Sequence, residues 1–463
     1  FGSRQFCFTV KCTEFSCPLF RLRSPAMTAL RLLLCLAGLH LVAASDGECN
    51  GADGQCDAAS VSKEDSVETS ALVQSRLNLK GKISTTDPKQ LVKPHLREFV
   101  NDNTKFVHGI PIFRYHEVHE SGMEPSALEL LEQRDWIIEF EDSCTDAGLQ
   151  KFCSNLVGEA HCAEMGHPSE HGLAFVELLA SEAELKELMA KTDLPCKIDF
   201  ADPNTRMNAI PEVDDHDPET LLEAGRGVTW GIDRIDARSG LDGKYSLGDA
   251  AGSGVTVYVA DTGVRCSHSE FAGRCEYEAD WTSSGSSSSP KCGGGGGSGG
   301  SGRSALIGGG SGGSGGGSKC GHDKQGHGTH CAGTIAGKTY GVARKAKIKA
   351  LKVLGDDGSG SLAGVIGSVD YVLEQSGPRI WSASLGGKGN PPSAKTSIDK
   401  AVAGGVVVSV AGGNDRDDAC NYAPAYVPSA ITVAAAAKGD KVASFTNYGT
   451  CIDIWAPGKD ILS

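Results

Sequence analysis

The 463-residue chain has no apolar run of the roughly 20 residues that a membrane-spanning helix needs. The nearest approach, Leu32 to Ala44, is too short, so no membrane span is expected. Basic patches interleaved with aromatic residues are missing, which removes nucleic acid from the expected partners. Apolar periodicity is scarce between residues 45 and 130, where polar residues dominate. That stretch reads as an exposed linker or pro-region with at most a short helix and no chemistry of its own. Residues 1–26 carry Cys7, Cys12 and Cys17 in no usable pattern and stay unassigned.

What is present starts at Met27. Arg31 supplies a positive region, Leu32 to Ala44 an apolar one, and Val42-Ala43-Ala44 small residues for cleavage, so 27–44 reads as a secretory signal. A secreted, extracellular chain lets cysteines pair. There are 17, an odd number, so at least one stays unpaired or pairs between chains. Cys331 is the candidate free thiol, and Cys49 and Cys56 are placed to close a small loop.

Periodicity returns near Asp135. Trp136 to Phe140 reads as a strand, Gly148 to Leu156 as a helix and Leu173 to Leu178 as a second strand. Ser181 and Glu184 form a capping box ahead of Leu185, Leu188 and Met189, and Cys196 to Phe200 reads as a third strand. Strand–helix–strand–helix–strand over 131–205 suggests a small ferredoxin-like α+β unit. Net charge is +4 over 1–44, −21 over 45–224 and +3 over 225–463, together the chain's −14. An acidic segment ahead of a slightly basic one favours their encounter.

Beyond residue 229 three stretches carry chemistry. Val255 to Ala260 is an apolar, β-branched run that reads as a buried parallel strand, delivering Asp261 at its carboxyl end. Gln325-Gly326-His327-Gly328-Thr329-His330-Cys331 places a histidine at the mouth of a small-residue helix, a candidate general base. Gly405 to Val410 reads as another buried strand, leading through Ala411-Gly412-Gly413 to Asn414. Ile348 to Val353 is a further strand, and Leu362 to Leu373 a helix with one apolar stripe. Between the Asp and His motifs, 283–318 is almost all glycine and serine and cannot bury a core. It has no Lys-Ser/Thr and no ordered strand–helix flanks, so it is not read as a phosphate loop. Cys292 and Cys320 bracket it and are expected to tether it as a surface loop.

Asp, His and Asn in this order, with Tyr340-Gly341-Val342-Ala343, Gly358-Ser359-Gly360 and Phe445-Thr446-Asn447-Tyr448-Gly449, resemble the subtilase family and its proteinase K branch over 230–463. The resemblance implies an α/β fold, a parallel sheet with helices on both faces, behind a ferredoxin-like inhibitory propeptide and a processing linker at 206–229. It implies a serine endopeptidase with Asp261 and His327 in its triad and Asn414 as oxyanion donor. Gly358, Ser359 and Gly360 would pair with substrate. Ser384, Leu385 and Gly386 with Ala411, Gly412 and Gly413 would wall the specificity pocket; no charge stands in either wall, so broad or apolar preference is expected. It also implies a Cys420–Cys451 disulfide and a calcium site from the Pro428 and Ala430 carbonyls with Asp453. The expected partners are peptide substrates and the chain's own propeptide, acting on a monomer.

Two rival readings stand beside this one. Asp261-Thr262-Gly263 is also an aspartic-protease signature, but that chemistry needs two carboxylates, and no second Asp-Thr/Ser-Gly occurs. The family's Gly-Thr-Ser-Met-Ala nucleophile motif is absent as well, and Ser304, in Gly302-Arg303-Ser304-Ala305, is its only remote counterpart. The expectation is a fragment lacking the serine and inactive as it stands; the alternative is a peptide-binding module that does not cut.

Overall fold

Glycine at position 109 and the left-handed His108 before it turn the first hairpin, β1 (Lys105–Val107) against β2 (Ile110–Ile112). In this computed structural model the described residues are 87–117, 129–211, 228–246, 248–282, 292 and 320–463. The chain divides into Phe1–Ser84 and Thr85–Ser463, and every described residue lies in the second unit. The signal sequence, the Cys49–Cys56 loop, Ser304 and nearly all of the Gly/Ser tract lie outside the described residues.

The hairpin joins a larger sheet: β3 (Gln133–Phe140), α1 (Asp146–Ser154), β4 (His161–Met165), β5 (Phe175–Ser181), α2 (Glu182–Ala190) and β6 (Ile198–Pro203) follow in sequence. The strands lie in the order β1-β2-β6-β3-β5-β4, and the last four with α1 and α2 are a ferredoxin-like arrangement. Thr145 Oγ1 accepts the Gly148 amide to start α1, and the Ser181–Glu184 capping box starts α2. Trp136, Ile138 and Phe140 pack with Leu149, Phe152, Leu185 and Leu188. The intervening Ile137 faces the other way, into the core of the following domain. Both faces of β3 are buried, hence its continuous apolar run.

Two expectations need correction here. The stretch 45–130, expected as a mostly exposed linker with at most a short helix, also holds buried structure, for residues 88–117 form short 3-10 turns and the hairpin and bury Leu96, Ile112, Phe113 and Tyr115. The sparse aromatics that hid any periodicity seat on neighbours instead, Phe113 edge-on to Phe200. The processing linker of 206–229 begins as a strand, β7 (Arg206–Ala209). The sequence also concealed β4, an edge strand without β-branched residues.

After α3 (Trp230–Ile235) comes the main sheet. Its strands are β8 (Thr256–Asp261), β9 (Cys275–Asp280), β10 (Lys347–Lys352), β12 (Arg379–Ala383), β14 (Val407–Ala411), β16 (Ile431–Ala437), β17 (Lys441–Val442) and β18 (Ile454–Pro457), while the short β11 (Ser359–Ser361), β13 (Leu385–Lys388) and β15 (Tyr422–Ala423) stand apart from it. The order β16-β14-β12-β8-β10-β9 is parallel throughout; β18 adds in parallel to β16 and β17 antiparallel. The connecting helices are α4 (His327–Ala336), α5 (Leu362–Leu373) and α6 (Pro392–Ala403). Val257 and Val259 of β8 pack with Ala332 and Ala336 of α4. Tyr258 and Ala260 point to the opposite face, among Leu362, Ile366, Val369 and Ile398 of α5 and α6. Helices thus cover both faces, and each buried Val, Leu or Ile contributes about 1.5–3 kcal/mol. The same alternation leaves Asp261 at the carboxyl end of β8 and His327 at the first turn of α4.

Candidate active site

Asp323 shapes the turn that presents His327. Its buried carboxylate accepts the Gln325, Gly326 and Thr329 amides and the Thr262 and Thr329 hydroxyls at 2.6–3.0 Å. Burial opposes its charge, but these hydrogen bonds outweigh that and hold its pKa below the ordinary carboxylate value. Gly326, at φ +113°, takes a conformation that a side chain would resist. The chain then starts α4 with His327 aimed at β8.

Asp261 is fully buried. Its Oδ1 and Oδ2 accept from Nδ1 of His327 at 2.8 and 3.0 Å. On the other side of the ring, Nε2 is 2.9 Å from the carbonyl oxygen of Ile210. Both partners are acceptors, an arrangement that favours a proton on each nitrogen, the imidazolium form. Burial works against that charge, but the Asp261 carboxylate and the sulfur of Cys331, 3.9 Å from Nδ1, more than offset it and raise the pKa. Asp261 is paired with an imidazole and not with a second carboxylate, which leaves the aspartic-protease chemistry without its dyad.

Asn414 lies beyond the carboxyl end of β14, and its Nδ2 donates to the carbonyl oxygen of Pro211 at 2.9 Å. The buried Asn447 side chain fixes this loop: its Oδ1 accepts the Asp415 and Asp417 amides and its Nδ2 donates to Gly412 O. Asp261, His327 and Asn414 are therefore brought to one edge of the sheet, around the Ile210-Pro211 backbone.

The chain's own β7 fills the groove between the other expected substrate-contacting segments. It pairs antiparallel with β11, Gly360 opposite Met207, and with β13, Gly386 opposite Asn208. Ala209 N donates to Gly358 O at 2.8 Å and Ile210 N to Ser384 O at 3.0 Å. Glycine at 387 permits this approach, since a Cβ there would lie 2.7 Å from Arg206 O. A cavity of about 380 Å³ opens past Pro211, lined by His327, Ser384, Ala411, Gly413 and Asn414.

Sulfur pairs join Cys420 to Cys451 and Cys292 to Cys320, with Cα atoms 5.3 and 5.5 Å apart. Three more, Cys144–Cys196, Cys153–Cys162 and Cys266–Cys275, went unread, although the last two share a nine-residue separation that could have flagged them. Cys331 is the free cysteine among the described residues. Asp453 Oδ2 accepts the Thr432 amide at 2.8 Å. Asp323, Asn447, Ile210 and Pro211 were not anticipated as site residues; Asp323 had a signal, an acidic residue four positions before His327.

The chain is similar to known proteins over its C-terminal half. Residues 252–463 match the Peptidase_S8 model, the subtilase family. A cuticle-degrading protease of Metarhizium anisopliae is 42% identical over 243 residues, 51% of this chain and 53% of that protein. Subtilisin-like protease 2 of Pseudogymnoascus destructans is 40% identical over 244 residues, 52% of each. Among solved structures, a cold adapted subtilisin-like serine proteinase matches at 37% identity and a TM-score of 0.42, covering 51% of this chain and 74% of that one. The chain spans about half the length of the curated relatives it matches.

Proposed function

The chain belongs to the subtilase family through residues 252–463, and from that premise we propose a secreted serine endopeptidase precursor held inactive by its own pro-region. One observation carries the reading: His327 is bonded to Asp261 on one side and to Ile210 O on the other, with residues 206–211 in the groove.

In the chemistry proposed, the pro-region leaves, the Nε2 proton passes to solvent, and Nε2 exchanges Ile210 O for a serine hydroxyl. Neutral His327 takes the hydroxyl proton as its oxygen attacks a peptide carbonyl, and later returns it to the leaving amine. Asp261 holds the ring by Nδ1 and stabilises the imidazolium formed. Asn414 Nδ2 donates to the tetrahedral oxyanion, the role for which its bond to Pro211 O is the resting counterpart. Gly358, Ser359 and Gly360 with Ser384, Leu385 and Gly386 would seat substrate as an added strand where β7 now sits. Ser384 to Gly386 and Ala411 to Gly413 carry no charge, which favours broad or apolar preference. Asp261, His327, Asn414 and the two groove walls come from one chain, consistent with a monomer.

Among the described residues no serine hydroxyl is hydrogen-bonded to His327; its Nε2 faces Ile210 O. The test therefore compares residues 1–463 with the whole open reading frame, each with a fluorophosphonate probe and a chromogenic peptide. Labelling of the longer form, abolished by His327→Ala, is expected. If the longer form, freed of residues up to 211, neither labels nor hydrolyses, a peptide-binding module replaces the enzyme.

A structural calcium ion is the remaining element of the proposal. The Pro428 and Ala430 carbonyls with the Asp453 carboxylate are all hard oxygen donors, which suits calcium. Asp453 N donates to Thr432 O and Thr432 N to Asp453 Oδ2, which fixes the orientation of the carboxylate.

A further inference from the structure

The turn that feeds β7 into the groove is held by a residue far from it in sequence. Arg114, 8% exposed, spends its guanidinium on the segment 202–205. Nε donates to Asp202 Oδ1 at 2.8 Å, Nη2 to Pro203 O at 2.6 Å, and Nη1 to Thr205 Oγ1 and Glu117 Oε2, both at 2.8 Å. Asp202 is fully buried, and its other oxygen accepts Ser393 Oγ at 2.8 Å, at the start of α6. The same turn meets the start of α5, where Leu362 N donates to Thr205 O at 2.8 Å and Ala363 N to Asn204 Oδ1 at 3.0 Å. Residues 87–117 are seated in turn by Phe99, edge-on to both Phe113 and Tyr426.

We propose that Arg114 is a positioning residue for the inhibitory strand: it latches the Asp202–Thr205 turn to α6, so that the inhibitory element of this chain extends N-terminally beyond the ferredoxin-like unit to residues 87–117. The physical reason is the geometry of the planar guanidinium, whose fork reaches a carboxylate, a carbonyl and a hydroxyl of one turn at once. Removing it strands the buried Asp202 carboxylate, and the turn must open to hydrate that charge. Arg206 follows the turn directly, so β7 loses its anchored end.

The inference rests on reading residues 206–211 as the inhibitory strand, but its test measures how that strand is seated, whatever the hydrolytic activity. Hydrogen exchange is followed in residues 1–463 and in Arg114→Ala. Exchange in peptides covering 204–211 is expected to speed up about tenfold or more, and trypsin to cut faster after Arg206. Peptides of β3 and β5 should keep their protection. A folded variant with unchanged exchange over 204–211 overturns the proposal. Equal loss across β3 and β5 also overturns it, because Arg114 would then merely stabilise the whole unit. Ser393→Ala cuts the latch at its other end and is the second variant should Arg114→Ala not fold; unchanged exchange there counts equally against the latch.

Discussion

Nε2 of His327 lies 2.9 Å from the carbonyl oxygen of Ile210, 117 positions earlier in the same chain. The ring that would accept a proton in the proposed acyl transfer has its accepting position covered by a backbone acceptor. A ring that donates from both nitrogens cannot act as a base. Asp261 and Cys331 raise its pKa against the cost of burial, so the charged ring stabilises the folded chain fully below the ordinary histidine value of 6.5, and that contribution is lost as pH rises through the folded pKa. Nitrogen NMR of the precursor at pH 7 should show both ring protons, and Asp261→Asn should remove the imidazolium signal. A neutral ring in the wild type would sink the assignment.

Asn414→Ala, made in the enzyme freed of its pro-region, should lower kcat by about 10²–10³, the cost of one oxyanion donor in a related protease. KM should change little, since the bond forms only in the transition state. A loss confined to KM would place Asn414 in ground-state binding.

Docking of the ferredoxin-like unit should weaken as pH rises. Glu139 of β3 faces α6, where Thr396 Oγ1 donates to it at 3.2 Å. Burial pushes its pKa up to about 8; Thr396 and Lys400 lower it while Asp199 and Asp202 raise it. Glu177, beside Asn204 and Asp135, is pushed up to about 7, again mainly by burial. A carboxyl with a raised pKa in the docked state stabilises it fully below the free value of 4.5, and that contribution falls as pH climbs to about 8. Dissociation of the pro-region from the processed enzyme should speed up across that window, and Glu139→Gln should flatten the profile. Tighter docking at alkaline pH would contradict this.

The bridge between Cys420 and Cys451 closes a separation of 31 residues. Chain entropy assigns such a loop roughly 3–4 kcal/mol, so the double serine variant should melt several degrees lower. Non-reducing peptide mapping with alkylation should label Cys331 and leave the five described pairs unlabelled.

Chelation should lower Tm, and Asp453→Asn should lower it comparably and remove further sensitivity to chelator. A wild-type protein indifferent to calcium removes the proposed site.

Periodicity and residue type alone sufficed for the elements whose faces are both buried. Val255 to Ala260 reads as a strand because β8 is buried from Val257 onward, Val257 and Val259 against α4 and Tyr258 and Ala260 against α5 and α6. Asp261, His327 and Asn414 were legible because strand ends and glycine turns position them locally, and the Ser181–Glu184 cap marked α2 for the same reason. Nothing local marks Arg206 to Ala209 as a strand. Its partners, β11 and β13, lie some 150 residues or more downstream, and only the tertiary fold brings their open edges to either side of it. Arg114 and Asp202, 88 positions apart, likewise read as ordinary surface charges until burial makes each necessary to the other. The chain's own sequence thus determined which chemistry was available; the fold decided that His327 is covered by the chain's own backbone, because that contact depends on a groove assembled from distant strands.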